Sequence, residues 1–310
     1  MAGIVVVGSL NMDLTVKVKC LPSRFETVMG RDFQTTPGGK GANQAVAAAR
    51  LGASVAMIGR VGEDAYGANL LANLANSGVD VSGVVADPEA PTGIALITVD
   101  DAGANTIVVV PGANSKCSPR DVEARSGSIG HAKAVVAQLE VETDTVVAAF
   151  RAARAEGVAT VLNPAPAPHS PLPRALLEHA DFIIPNEVEA GALSGMRVSC
   201  PDEALEAARV LHTLGPERVI ITLGSQGSVF AGPEGEIRMP AYRVNAIDST
   251  AAGDAFIGAF TVALIDGMSI RDCLAFGSAA GALAASKPGA QASLPCLADV
   301  AALSRNPPSG

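Results

Sequence analysis

The sequence predicts an α/β protein: a central, mostly parallel sheet flanked by helices in three layers, with a small extra β-sheet attached. Three observations carry this. Short, nearly continuous β-branched runs alternate with Ala-rich helical stretches, the pattern of strands buried on both faces and joined by helices. Two segments break that rhythm with apolar–polar alternation and no helix between, the mark of a sheet with one solvated face. The chain has 310 residues, enough to bury a sizeable core without covalent staples.

In order along the chain, Ile4–Val7 is the first strand. The first anomalous segment, Asp13–Thr36, contains Leu14-Thr15-Val16-Lys17-Val18. Ala42–Leu51 predicts a helix, Val55–Ile58 a strand and Gly67–Ser77 a helix. The second anomalous segment, Thr92–Val110, centres on Ile94-Ala95-Leu96-Ile97-Thr98-Val99. Strands then follow at Ala134–Leu139, Ala159–Leu162, Phe182–Ile184, Val219–Leu223 and Ser228–Ala231. Helices are expected at Thr145–Glu156, Pro201–Leu214, Gly253–Asp266 and Ile270–Ser286. Pro164–Pro173 reads as a rigid loop and Asn306–Gly310 as a frayed end. With no repeat and no long linker, residues 1–310 are expected to form one domain.

Charge and composition exclude several classes. The 22 Lys and Arg against 31 Asp and Glu leave a net charge of −9 with no basic block, which argues against a nucleic-acid partner. Aromatics are 3% with no Trp, too few for a base-stacking platform. Cys20, Cys117, Cys200, Cys273 and Cys296 are scattered without CxxC spacing, so idle thiols in a reducing compartment are expected. His131, His169, His179 and His212 sit outside every motif, and no triad or zinc spacing can be assembled from them. No apolar run approaches the roughly 18 residues of a membrane span, and no secretory h-region is visible. A cytoplasmic protein without a membrane partner is the expectation.

The strongest motif is Asp248-Ser249-Thr250-Ala251-Ala252-Gly253-Asp254, which runs straight into an apolar helical pattern. Small residues at a helix start let backbone N–H groups approach an anion, and the helix dipole favours it. Ala251, Ala252 and Gly253 can therefore cradle a phosphate. From these residues Asp254 has two readings: a base for an attacking hydroxyl, or an ordinary acid complementing the dipole. Pro37-Gly38-Gly39-Lys40-Gly41-Ala42-Asn43-Gln44 also opens a helix. It is neither a Walker A loop nor a dinucleotide fingerprint, but it offers Lys40 and Asn43 as donors; a plain turn and cap is the competing view.

Further polar residues follow strands, where open α/β sheets bind ligands. After Ile4–Val7 come Asn11 and Asp13, able to grip a polyol or simply to turn the chain. Glu140 occupies the same position after Ala134–Leu139. Asn186 and Glu189 match a capping box and equally a metal- or phosphate-ordering pair. Thr222-Leu223-Gly224-Ser225-Gln226-Gly227 is either a turn beneath a nucleotide or a simple left-handed turn.

Taken together and in this order, the motifs resemble the ribokinase branch of the PfkB-type carbohydrate kinases. The resemblance runs from Gly8-Ser9-Leu10-Asn11-Met12-Asp13 to Gly289-Ala290-Gln291-Ala292-Ser293, through Thr92-Gly93-Ile94-Ala95-Leu96-Ile97 and Pro111-Gly112-Ala113-Asn114. It implies a β lid formed by about residues 14–36 and 91–112, and often a homodimer through that lid. It also implies transfer of the ATP γ-phosphoryl group to the 5-hydroxyl of D-ribose. Asp254 then matches the catalytic base, and the amides of Ala251, Ala252, Gly253 and Asp254 the anion hole. Asn11, Asp13, Gly39, Lys40, Asn43 and Glu140 match sugar contacts. Asn186 and Glu189 match a pair that orders Mg²⁺ and phosphate; Thr222, Gly224, Ser225, Gly227, Gly253 and Ser278 match nucleotide positions. Asp248, Thr250, Ala284, Lys287, Gly289 and Ser293 match a monovalent-cation (K⁺) site.

Three departures stand out: Ser278 where relatives often have Asn or His, Lys287 where Arg is common, and Phe25 where Gly is usual. The alternatives to a ribose kinase are a kinase of another small sugar or a nucleoside, or a catalytically silent sugar-binding regulator.

Overall fold

The computed structural model describes residues 3–168 and 170–305; His169 and the tail 306–310, expected to fray, lie outside them. The apolar runs become a nine-stranded sheet. With strands numbered along the whole chain, these are β1 (Ile4–Val7), β4 (Val55–Gly62), β5 (Val79–Asp87), β8 (Ala134–Gln138), β9 (Ala159–Asn163), β10 (Phe182–Ile183), β11 (Arg218–Thr222), β12 (Ser228–Gly232) and β13 (Gly235–Met239). Their order is β13-β12-β11-β10-β9-β8-β1-β4-β5. The strands from β5 to β11 run parallel, and β12 and β13 finish one edge antiparallel.

Central β1 shows why its run is apolar throughout. Successive side chains point to opposite faces, so Ile4 and Val6 enter one core while Val5 and Val7 enter the other. The first core is covered by α1 (Lys40–Arg50), α2 (Ala65–Asn76), α9 (Ala252–Ile265), α10 (Ile270–Ala285) and α11 (Leu297–Ser304). The second lies under α3 (Pro119–Glu123), α4 (Ser126–Gly130), α5 (Thr143–Ala155), α6 (Arg174–Glu178), α7 (Glu187–Ser194) and α8 (Pro201–Thr213). Among the described residues no helix is long and apolar enough to cross a membrane.

One packing contact positions the site. Helix α9 is apolar nearly all round because α1, α10 and the sheet enclose it. At Gly258 it approaches α1 so closely that a Cβ would stand 2.7 Å from the Ala47 methyl. The same approach, four residues earlier on each helix, brings Asn43 and Gln44 against Asp254.

The two anomalous segments form a separate four-stranded sheet of β2 (Asn11–Lys17), β3 (Asp32–Gly38), β6 (Gly93–Val99) and β7 (Asn105–Val110), in the order β3-β2-β6-β7. Asn11 and Asp13 lie on β2 rather than in a turn, because the Met12, Leu14, Val16 alternation extends the strand back to the sheet's root. Phe25 takes φ +69°, so the left-handed conformation that glycine favours is kept without glycine. Two strands and two longer helices lie outside the sequence expectation. Edge strand β5 carries Asp80, Ser82 and Gly83 and shifts register against β4, edge strand β13 is largely exposed, and α7 and α11 are eight residues each with weak periodicity.

Candidate active site

Asp254 sits in the first turn of α9, buried at 8% exposure. Its Oδ2 accepts from Asn43 Nδ2 and its Oδ1 from Gln44 Nε2, both at 2.9 Å. The N-cap of α9, Ala251, has φ +58°, an uncommon left-handed alanine. That turn points the Ala252 N–H back to Ser249 O at 3.1 Å. The expected anion cradle is thereby narrowed: the amides of Ala251, Gly253 and Asp254 remain for an anion, whereas that of Ala252 is used.

The polar residues at strand ends gather around the start of α1. Gly39 has φ +89°, and a Cβ there would fall 2.7 Å from the Asn11 nitrogen, so only glycine lets α1 begin against β2. Glu140 Oε2 accepts from the Ser9 hydroxyl at 2.5 Å and from the Lys40 amide at 3.2 Å, holding a carboxylate at the helix N-terminus. Asn114 donates to Asn11 Oδ1 at 2.8 Å and also holds the Leu10 peptide, orienting Asn11. Asn43 Oδ1 is buried and has no hydrogen-bond partner among the described residues.

Charge is concentrated here. Burial and the neighbouring carboxylates of Glu140 and Asp254 push Asp13 up to about 7, against the pull of Lys40. Burial disfavours the Lys40 ammonium, but Asp254, Glu140, Glu189 and Asp13 outweigh it and hold its pKa above the usual lysine value. Burial also raises Glu189, despite the Asn186 N–H and Lys40. Four carboxylates thus surround one ammonium.

Two adjoining cavities open at the start of α9. The first, about 190 Å³, is polar and lined by Lys40, Asn163, Asn186, Glu189, Gly253 and Asp254 among others. The second, about 460 Å³, is mainly apolar and lined by Thr222, Gly224, Ser225, Gly227 and Ser278 among others. Tyr242, Phe256 and Ala282 also line it and carried no sequence signal. Thr222, Ser249 and Gly253 belong to both cavities.

Asn186 and Glu189 do form the capping box: Asn186 Oδ1 accepts from the Glu189 amide, and Glu189 accepts from the Asn186 amide, each at 2.9 Å. Both also line the polar cavity. Gly224 and Gly227 adopt φ +53° and +91° around a 3₁₀ turn beside the apolar cavity. Asp248 ties the anion-cradle loop to the segment after α10, accepting from the Thr250 amide and hydroxyl at 2.9 and 2.6 Å and from the Gly289 amide at 2.8 Å. Burial opposes its charge, but these bonds prevail and lower its pKa. Of the remaining cation positions, the Ala284 carbonyl accepts from the Lys287 amide, and Ser293 is buried with its hydroxyl on Ala290 O. No His, Cys, Asp or Glu cluster suited to a metal occurs among the described residues.

A sequence profile of the pfkB family carbohydrate kinases matches residues 1–297. The chain belongs to this family. It is 42% identical to a ribokinase of Staphylococcus aureus over 299 residues, covering 96% of this chain and 98% of the relative. It is 35% identical to a deoxyribokinase of Salmonella typhimurium, covering 95% and 96%. Among solved structures it is similar to Arabidopsis thaliana ribokinase complexed with ribose and ATP, with a TM-score of 0.90, 33% identity and coverage of 98% and 99%.

Proposed function

We propose that this chain is an ATP-dependent kinase that transfers the γ-phosphoryl group to the 5-hydroxyl of D-ribose. The observation that carries the reading is Asp254, fixed where the carboxylate-rich acceptor cluster meets the open N-terminus of α9, on the wall of the polar cavity and next to Gly253, which lines both cavities. Asn11, Asp13, Gly39, Asn43 and Glu140 bind the sugar through its hydroxyls. The apolar cavity takes the adenosine of ATP, and the amides of Ala251, Gly253 and Asp254, with Lys40, receive the phosphates.

In the transfer, Asp254 accepts the proton of the 5-hydroxyl as that oxygen bonds to the γ-phosphorus. The bond from phosphorus to the β-bridging oxygen breaks, and ADP leaves. The small sheet acts as a lid over the sugar, excluding water. The carboxylates around Lys40 outnumber it, so a triphosphate entering here calls for a divalent cation; Glu189 and Asn186 fit its placement through water. An Mg²⁺ held there would supply charge neutralisation on the phosphates. Asp248, Thr250, Ala284, Lys287, Gly289 and Ser293, several of them through backbone carbonyls, would hold a monovalent cation, which would stiffen the loop presenting the amides. Phe33, Leu96 and Ile107 are 60, 45 and 55% exposed on the small sheet, which supports a homodimer through it. A cytoplasmic location suits these substrates.

The test is coupled ADP release from ATP and Mg²⁺ with D-ribose, 2-deoxyribose, ketoses and nucleosides, with and without K⁺. Turnover greatest with ribose and stimulated by K⁺ is expected. A preference for deoxyribose, which the second relative makes the nearest rival, would move the substrate but keep the chemistry. Ribose binding without turnover would instead make the chain a regulator.

A further inference from the structure

We propose that Gln44 is a positioning residue for the phosphoryl transfer, aiming the Asp254 carboxylate; this rests on the reading of Asp254 as the base. Gln44 is 1% exposed in the first turn and a half of α1, where an apolar side chain would serve packing alone. Instead its amide bonds at both ends. Nε2 donates to Asp254 Oδ1 at 2.9 Å and to Asn163 Oδ1 at 3.1 Å, while Oε1 accepts from Gln138 Nε2 at 2.6 Å.

The direction of this chain of amides is dictated by one backbone group. Asn163 Nδ2 donates to the Ile184 carbonyl at 3.0 Å. A carbonyl only accepts, so Asn163 must turn its own oxygen toward Gln44. Gln44 must therefore present both N–H groups to Asn163 and Asp254, and its oxygen to Gln138. A buried polar chain anchored this way has one low-energy arrangement.

What this does for Asp254 follows from where its two donors come from. Asn43 holds Oδ2 and Gln44 holds Oδ1, and both are consecutive residues of one helix. With a donor on each oxygen the carboxylate is held against rotation at the wall of the polar cavity. Without Gln44 only one oxygen is held, and the Lys40 ammonium, whose charge Asp254 supports, is free to turn the group. A base misplaced by about 1 Å loses roughly 10²-fold in rate while substrate contacts persist.

Steady-state kinetics of Gln44→Met, Gln44→Glu and Asp254→Asn with ATP and D-ribose test this. For Gln44→Met, kcat is expected to fall about 10²-fold with both KM values within about twofold. For Gln44→Glu, the activity relative to the unaltered chain is expected to rise as pH falls from about 8 to 6, because the introduced carboxyl, once protonated, donates to Asp254 again. A folded Gln44→Met with kcat within about threefold of the unaltered chain overturns the proposal, as does a fall in kcat matched by equal rises in both KM values. If Gln44→Met does not fold, Gln44→Glu decides, and a ratio independent of pH overturns it. An Asp254→Asn that keeps its turnover removes the base reading itself, and the role given to Gln44 with it.

Discussion

The proposed acceptor side and the proposed nucleotide side of this site are made of different materials. The acceptor side is built from buried polar side chains, locked by hydrogen bonds between segments far apart in sequence, such as Asn43 to Asp254 and Asn114 to Asn11. The nucleotide side is built from shape: glycine turns, small residues of α10 and the flank of Phe256 and Tyr242. A sugar offers only hydroxyls, so its recognition needs fixed donors and acceptors. An adenosine offers a broad apolar surface, for which a cavity of about 460 Å³ suffices. Changes on the two sides should therefore fail differently.

The largest effect is expected at the junction. Asp254→Asn removes the proton acceptor but keeps the shape, and kcat should fall about 10²–10⁴-fold with ribose binding by calorimetry largely intact. Lys40→Met comes next, with a loss of about 10²–10³-fold in kcat from the missing charge on the transferring group. If either variant instead raised only the KM for ribose, that residue would belong to the acceptor side alone. Ala282→Phe should intrude on the apolar cavity and raise the KM for ATP about tenfold or more, leaving the KM for ribose unchanged. A matching shift in ribose KM would show that the two sides are not separable.

Asp13→Asn probes the cost of the carboxylate cluster. Asp13 is raised to about 7 in the native chain against 3.8 for an ordinary aspartate, so the folded state loses stability as pH climbs from about 4 to 7. The variant lacks that loss. Urea denaturation at pH 5 and pH 8 should show it gaining on the unaltered chain at the higher pH, whereas a constant difference would place Asp13 outside the cluster's electrostatics. The smallest effect is expected for Ala251→Gly. It relieves a left-handed alanine, partly offset by the freer unfolded chain, for a net gain of about 1 kcal/mol or less and a rise in Tm of a few degrees at most.

The same contrast explains what was legible from the residues alone. Asn11, Asp13, Glu140, Lys40, Asn43 and Asp254 stood out because each is a polar group at a strand end or helix start, where no packing demand accounts for it. The central strands were equally plain, since β1 and β8 are buried on both faces and must be apolar throughout. Gln44, within its motif, and Gln138, inside a strand, carry no sign of a role in the sequence, because that role depends on which elements the fold brings face to face. Tyr242, Phe256 and Ala282 are ordinary apolar residues whose cavity exists only after α9 and α10 pack. The edge strands β5 and β13 are exposed on one side, and their mixed pattern resembles a loop.

On the proposed reading these two sides meet to place a phosphoryl group on one particular hydroxyl. The most direct measurement is ³¹P NMR of the product formed from ATP and D-ribose by the unaltered protein. A single new ester resonance coupled to the C5 methylene protons, identifying D-ribose 5-phosphate, is the predicted result. A phosphate on any other hydroxyl, or only inorganic phosphate, would contradict the account.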